Sequence, residues 1–106
     1  MEQDEAAQQL AQTEQSLEQI SMQKKQFQNQ LAEAAASSEA LGAAGDAYKL
    51  IGNLMIKQSP EDLRKELAER QETLVVRIKA LEKQEDKLHA KVKELQQAVM
   101  QKNDRK

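Results

Sequence analysis

His89 is the chain's single histidine, and Asp86 stands three residues before it, the spacing of a carboxylate–histidine step on one helix face. Metal sites of this kind in helix bundles need two such steps and further inward carboxylates. The sequence supplies no second step, so no metal site is read. There is no cysteine, which removes disulfides, thiolate nucleophiles and thiolate metal ligands together. The three glycines, Gly42, Gly45 and Gly52, are too scattered for a phosphate-cradling loop. No serine, histidine and acid converge on a plausible pocket, and a narrow pair of helices offers little cavity for one. The sequence therefore predicts no catalytic residue, no cofactor and no enzyme.

The elements available to position any site are helices. The 106 residues allow one domain at most, and 32% of them are charged against 2% aromatic. Much of the hydrophobic fraction is alanine, and the chain is rich in Gln, Glu, Lys and Leu as well, all good helix formers. Long helices meeting along narrow seams have this composition. A net charge of −2 does not draw nucleic acid or an anionic membrane. No run approaches the roughly 18 apolar residues of a membrane span. Met1 to Gln9 is acidic and polar with no apolar stretch, so no secretory signal is read and a cytoplasmic location is expected.

A heptad runs unbroken from Leu10 to Leu41 through Thr13, Leu17, Ile20, Lys24, Phe27, Leu31, Ala34 and Ser38. Its steps average 3.5, the period of a left-handed coiled coil. The first helix is predicted over about 4–41, with Gly42 as a left-handed C-cap. Ser59-Pro60-Glu61-Asp62 opens the second, over about 60–103, with an N-cap serine, a proline at the first helical position and acids in the first turn. Its stripe is Leu67, Leu74, Ile78, Leu81, Leu88, Val92, Leu95 and Val99, interrupted by Gln71 and Glu85. Lys24 and Glu85, both at seam positions, either set pairing register or snorkel to solvent.

Between the helices, over about 46–58, Tyr48-Lys49-Leu50-Ile51 and Leu54-Met55-Ile56-Lys57 flank Gly52-Asn53. Two apolar stretches about a two-residue loop with Gly first predict a type II′ hairpin in which Ile51 faces Leu54 and Leu50 faces Met55. Lys49, Ile51, Leu54 and Ile56 share one face; Tyr48, Leu50, Met55 and Lys57 share the other. A lone hairpin is marginal in water, and two apolar faces with two open edges invite pairing with other chains. The expected solution is an obligate oligomer in which hairpins of several copies or paralogues close a shared sheet or barrel. The fold class read here is mainly α: a long antiparallel two-helix coiled coil whose central hairpin joins an intersubunit β-barrel.

These residues resemble the beta-type subunit of prefoldin. The resemblance is carried by Ala47-Tyr48-Lys49-Leu50-Ile51-Gly52-Asn53-Leu54-Met55-Ile56-Lys57, with its Tyr-Lys, central Gly and closing Lys. Leu81-Glu82-Lys83-Gln84-Glu85 and Lys91-Val92-Lys93-Glu94-Leu95-Gln96 are similar to that subunit's second helix, and Gln23-Lys24-Lys25-Gln26 to its first. The single hairpin resembles the beta type rather than the alpha type, whose central insert is longer. The resemblance spans nearly all of residues 1–106, read as one prefoldin-like domain. It implies a hexamer of two alpha-type and four beta-type subunits, a β-barrel platform formed by Tyr48, Leu50, Ile51, Gly52, Leu54, Met55 and Ile56 of each copy, and projecting coiled coils. It further implies an ATP-independent chaperone whose partners are alpha-type subunits, other copies of itself, non-native client proteins and a group II chaperonin.

In an antiparallel pair the free end joins the start of the first helix to the end of the second. Ala6, Leu10, Leu17, Val92, Leu95, Val99 and Met100 lie there. At a frayed end they would be partly exposed and able to contact unfolded clients, with Met100 adaptable to varied shapes. The plainer reading makes them the last rungs of a seam. Lys102, Arg105 and Lys106 would suit weak contact with a chaperonin, or serve solubility alone. The competing function is a structural coiled-coil tether or assembly adaptor, which explains the helices equally well but not the apolar hairpin. A nucleic-acid-binding helical arm comes third, lacking a basic stripe and exposed aromatics.

Overall fold

The computed structural model describes residues 3–42 and 45–104, with side chains placed over 5–42 and 45–101. The order of elements is α1 (Gln3–Leu41), β1 (Ala47–Ile51), β2 (Leu54–Gln58) and α2 (Pro60–Asp104). Contacts group the chain into two compact units, Met1–Lys25 with Lys79–Lys106, and Gln26–Ile78.

In the first unit the covered side chains of α1 include Ala6, Leu10, Thr13, Leu17, Ile20 and Lys24. Those of α2 are Leu81, Glu85, Leu88, Val92, Leu95, Ala98 and Val99. Alternating steps of three and four recur on both helices, so each turns one narrow stripe inward, as the heptad reading required. Thr13 is buried without an orphaned hydroxyl because its Oγ1 donates to the Gln9 carbonyl at 2.7 Å.

The second unit repeats the pattern. Phe27, Leu31, Ala34, Ser38 and Leu41 of α1 are covered, as are Leu63, Leu67, Gln71, Leu74 and Ile78 of α2. From the edge of this seam the Arg77 guanidinium lies 5.7 Å from the centre of the Phe27 ring, close enough for a cation–π contact.

The helix ends are capped differently from one another. Ser59 Oγ accepts from the Asp62 N–H at 3.1 Å, and Ser59 O from the Leu63 N–H at 3.1 Å. Proline follows where its missing N–H removes nothing, which is the start the sequence announced. The end of α1 departs from expectation. Gly42 is not left-handed: the one positive-φ glycine among the described residues is Gly52. Gly42 instead donates to the Glu39 carbonyl at 3.1 Å in a tight closing turn. A Cβ at Gly42 would stand 3.3 Å from that same oxygen, so close approach rather than handedness favours glycine here. Arg64 Nη2 donates to the Leu41 carbonyl at 3.1 Å and satisfies a helix-terminal acceptor.

The strands pair antiparallel with Ala47 opposite Gln58, Tyr48 opposite Lys57, Lys49 opposite Ile56, Leu50 opposite Met55 and Ile51 opposite Leu54. Gly52 has φ +58° and Asn53 has no positive φ. Only the first loop residue is left-handed, as a type II′ turn requires. No helix among the described residues is long and apolar enough to cross a membrane.

Candidate functional site

Two surfaces are candidates for function, and each carries exposed or half-buried apolar side chains. The first is the hairpin. Its register gives Ala47, Lys49, Ile51, Leu54, Ile56 and Gln58 to one face and Tyr48, Leu50, Met55 and Lys57 to the other. The first face is anchored at its proximal end. Ala47 is buried, and both strands reach one carboxylate of α2. Lys49 Nζ donates to Glu66 Oε2 at 2.9 Å, and Gln58 Nε2 donates to Glu66 Oε1 at 3.0 Å. The Gln58 amide, then the Lys49 ammonium, hold the Glu66 carboxyl below its ordinary range. A weaker pair, Lys57 with Asp46 at 3.7 Å, lies on the other side.

Beyond that anchor the hairpin is bare. Tyr48, Leu50, Ile51, Leu54, Met55 and Ile56 expose between 45% and 70% of their surface, on both faces of a sheet with two open edges. Six large apolar side chains exposed to water on one short hairpin make it a candidate interaction surface. An open cleft beside it, within the second unit, is lined in part by Leu41, Tyr48, Leu50, Leu63 and Arg70.

The second surface is the end of the first unit, where α1 begins and α2 finishes. The seven residues expected there divide sharply. Ala6 and Leu95 are 1% and 6% exposed, so partial exposure does not hold for them: they are seam residues covered by the facing helix. Leu10, Leu17, Val92 and Val99 are half-buried, and Met100 is 63% exposed. The side chains of Lys102, Arg105 and Lys106 lie outside the described residues.

Lys24 and Glu85 do not snorkel apart. Lys24 Nζ donates to Glu85 Oε1 at 2.7 Å, with the two side chains only 23% and 14% exposed. That hydrogen bond raises the Lys24 ammonium above its ordinary pKa, aided by the negative charges of Glu85, Glu82 and Asp86. Among the described residues no three His, Cys, Asp or Glu side chains converge as a metal site would.

Periodicity did not single out Glu66, Arg64, or the exposed Val75–Val76 pair on the outer side of α2. The first two act through hairpin docking and helix ending, which no local pattern encodes. Val75 and Val76 are visible as two adjacent branched residues off the heptad.

Two long helices joined by a hairpin with exposed apolar residues define a protein of the coiled-coil class. The model of the prefoldin subunit family matches residues 4–105, and the chain belongs to that family. Relatives named prefoldin subunit beta include that of Archaeoglobus fulgidus, 38% identical over 94 residues that cover 86% of this chain and 81% of the relative. The protein of that name from Pyrococcus abyssi is 40% identical over 94 residues, covering 86% and 80%. The crystal structure of the prefoldin beta subunit from Thermococcus strain KS-1 is similar at a TM-score of 0.86 and 33% identity, over 93% of this chain and 90% of that one. Prefoldin is a chaperone family and not an enzyme family.

Proposed function

We propose that residues 1–106 act as one prefoldin-like domain, the beta-type subunit of a cytoplasmic, ATP-independent chaperone. The hairpin residues Tyr48, Leu50, Ile51, Gly52, Leu54, Met55 and Ile56 join it to alpha-type subunits and to further copies of itself in a shared β-barrel. The helix ends capture non-native polypeptides and pass them to a group II chaperonin. The observation that carries this reading is the hairpin: six large apolar side chains, exposed on both faces, have no use in a free subunit. A structural tether leaves them without a role.

Client capture falls to Met100 and to the accessible flanks of Leu10, Leu17, Val92 and Val99, with Ala6 and Leu95 as the buried rungs beneath. These contacts are few and shallow, so affinity is modest and release needs no nucleotide. The test is aggregation of a chemically unfolded client in the presence of the assembled protein, without ATP. Suppression at near-stoichiometric ratios, followed by transfer when a group II chaperonin is added, supports the reading. Undiminished aggregation with a fully assembled protein rejects it.

A further inference from the structure

We infer that Lys24 and Glu85 are positioning residues that hold the two helix ends of the first unit level, and thereby decide which side chains the end presents. The consequence for clients rests on the reading of that end as the capture surface; the register argument does not. The pair joins α1 to α2 directly at 2.7 Å, at seam positions where the heptad neighbours Leu10, Leu17, Val92 and Val99 are aliphatic. Counting heptads outward from this contact sets Leu17 level with Val92 and Leu10 level with Val99.

An aliphatic seam by itself tolerates slippage. At Leu10, Leu17, Val92 and Val99 the aliphatic side chains recur every seven residues, so moving one helix by a heptad, about 10 Å along the axis, meets aliphatic with aliphatic again there. The ionic layer does not repeat. A slip in one direction sets Lys24 against Val92, and a slip in the other sets Glu85 against Leu17. Either leaves a mostly covered charge without its partner, and an unpaired buried charge is far less favourable than the pair. A slipped helix pair would also uncover one helix end and overrun the other. In the slip that sets Lys24 against Val92, Ala6 passes beyond Asp104, where α2 ends, and loses the cover it has here, while Leu95 still faces α1.

The absence of cysteine makes the register directly readable by disulfide trapping in the full chain under reversible thiol exchange. Leu17→Cys with Val92→Cys reports the observed register. Leu10→Cys with Val92→Cys and Leu17→Cys with Val99→Cys report the two slipped ones. In the otherwise natural chain the slipped pairs should trap at about a tenth of the in-register yield or less. In a Lys24→Leu, Glu85→Leu background the in-register yield should persist while at least one slipped yield rises about tenfold. The charge swap Lys24→Glu, Glu85→Lys should restore the natural pattern.

Slipped yields that stay low in the aliphatic background overturn the inference, because the hairpin connection or the polar seam positions Ser38 and Gln71 then set register without the pair. A general loss of all cross-links there also overturns it, since the pair would be contributing stability alone. So does a swap that fails to restore fidelity. None of these readouts involves a client, a chaperonin or a partner subunit, so they fail independently of the proposed function.

Discussion

Replacing Leu50 and Met55 together by alanine separates assembly from folding. The two face each other across the strands and expose 68% and 70% of their surfaces, so about two thirds of each is available to a neighbouring subunit. Fully covering a large aliphatic side chain contributes roughly 1.5–3 kcal/mol. The exposed share is then about 1–2 kcal/mol per residue, or about 2–4 kcal/mol per hairpin for the pair. At about 1.4 kcal/mol per tenfold, association should weaken by roughly 30-fold to several hundredfold. The helix pair should be untouched, because neither side chain belongs to either seam. Leu74→Ala is the mirror image: it truncates a seam residue only 4% exposed and should cost about 2–5 kcal/mol of helix-pair stability. Mass photometry across a dilution series reads association, and circular dichroism at 222 nm through a thermal ramp reads the helices. Unchanged association in the double variant, or a fall in helix stability matching that of Leu74→Ala, would refute the division of labour.

Gly52→Ala should weaken the hairpin by about 1–2 kcal/mol, since φ +58° is unfavourable for a residue with a Cβ; strand amide exchange should quicken while the helices stay protected. Ser59→Ala should remove about 1 kcal/mol by leaving the Asp62 N–H unpartnered, and Ser59→Asp should largely recover it, both read from the thermal midpoint. Glu66 titrates below the ordinary carboxylate range, so its contribution to hairpin docking is complete above that range and is lost as pH falls through its lowered folded value. Acidification should therefore loosen the Lys49 and Gln58 side chains in nuclear magnetic resonance spectra, and Glu66→Gln should abolish that acid limb. Met100→Glu should reduce suppression of client aggregation several-fold without altering assembly, because Met100 is exposed and no part of the hairpin; equal suppression by the variant would move the capture surface elsewhere.

The parts of the fold that are periodic were legible in the residues. A seam of 3.5 spacing specifies which face of a helix is covered, and every predicted position from Leu10 to Leu41 is covered or half-covered. The hairpin register followed from Gly52-Asn53, because a two-residue loop leaves one pairing once its first residue must be left-handed. Gly42 shows where local chemistry stops short. A glycine marks a helix end, but a tight turn and a left-handed cap both use one; here the turn forms, and Arg64 reaches the Leu41 carbonyl from α2. Ala6 and Leu95 show the same limit at the candidate client surface. Periodicity places both on the seam, while their cover depends on how far the facing helix extends. Glu66 had no signal at all: it is one of many acids on α2, distinguished only by the two strands that reach it.

Native mass spectrometry of this chain, alone and mixed with an alpha-type prefoldin subunit, tests the central claim that the exposed hairpin is an assembly surface. The mixture should yield a two-plus-four hexamer, lost when Leu50 and Met55 are both alanine. A chain that stays a folded monomer or closes into a homodimer, and ignores the alpha-type partner, would contradict it.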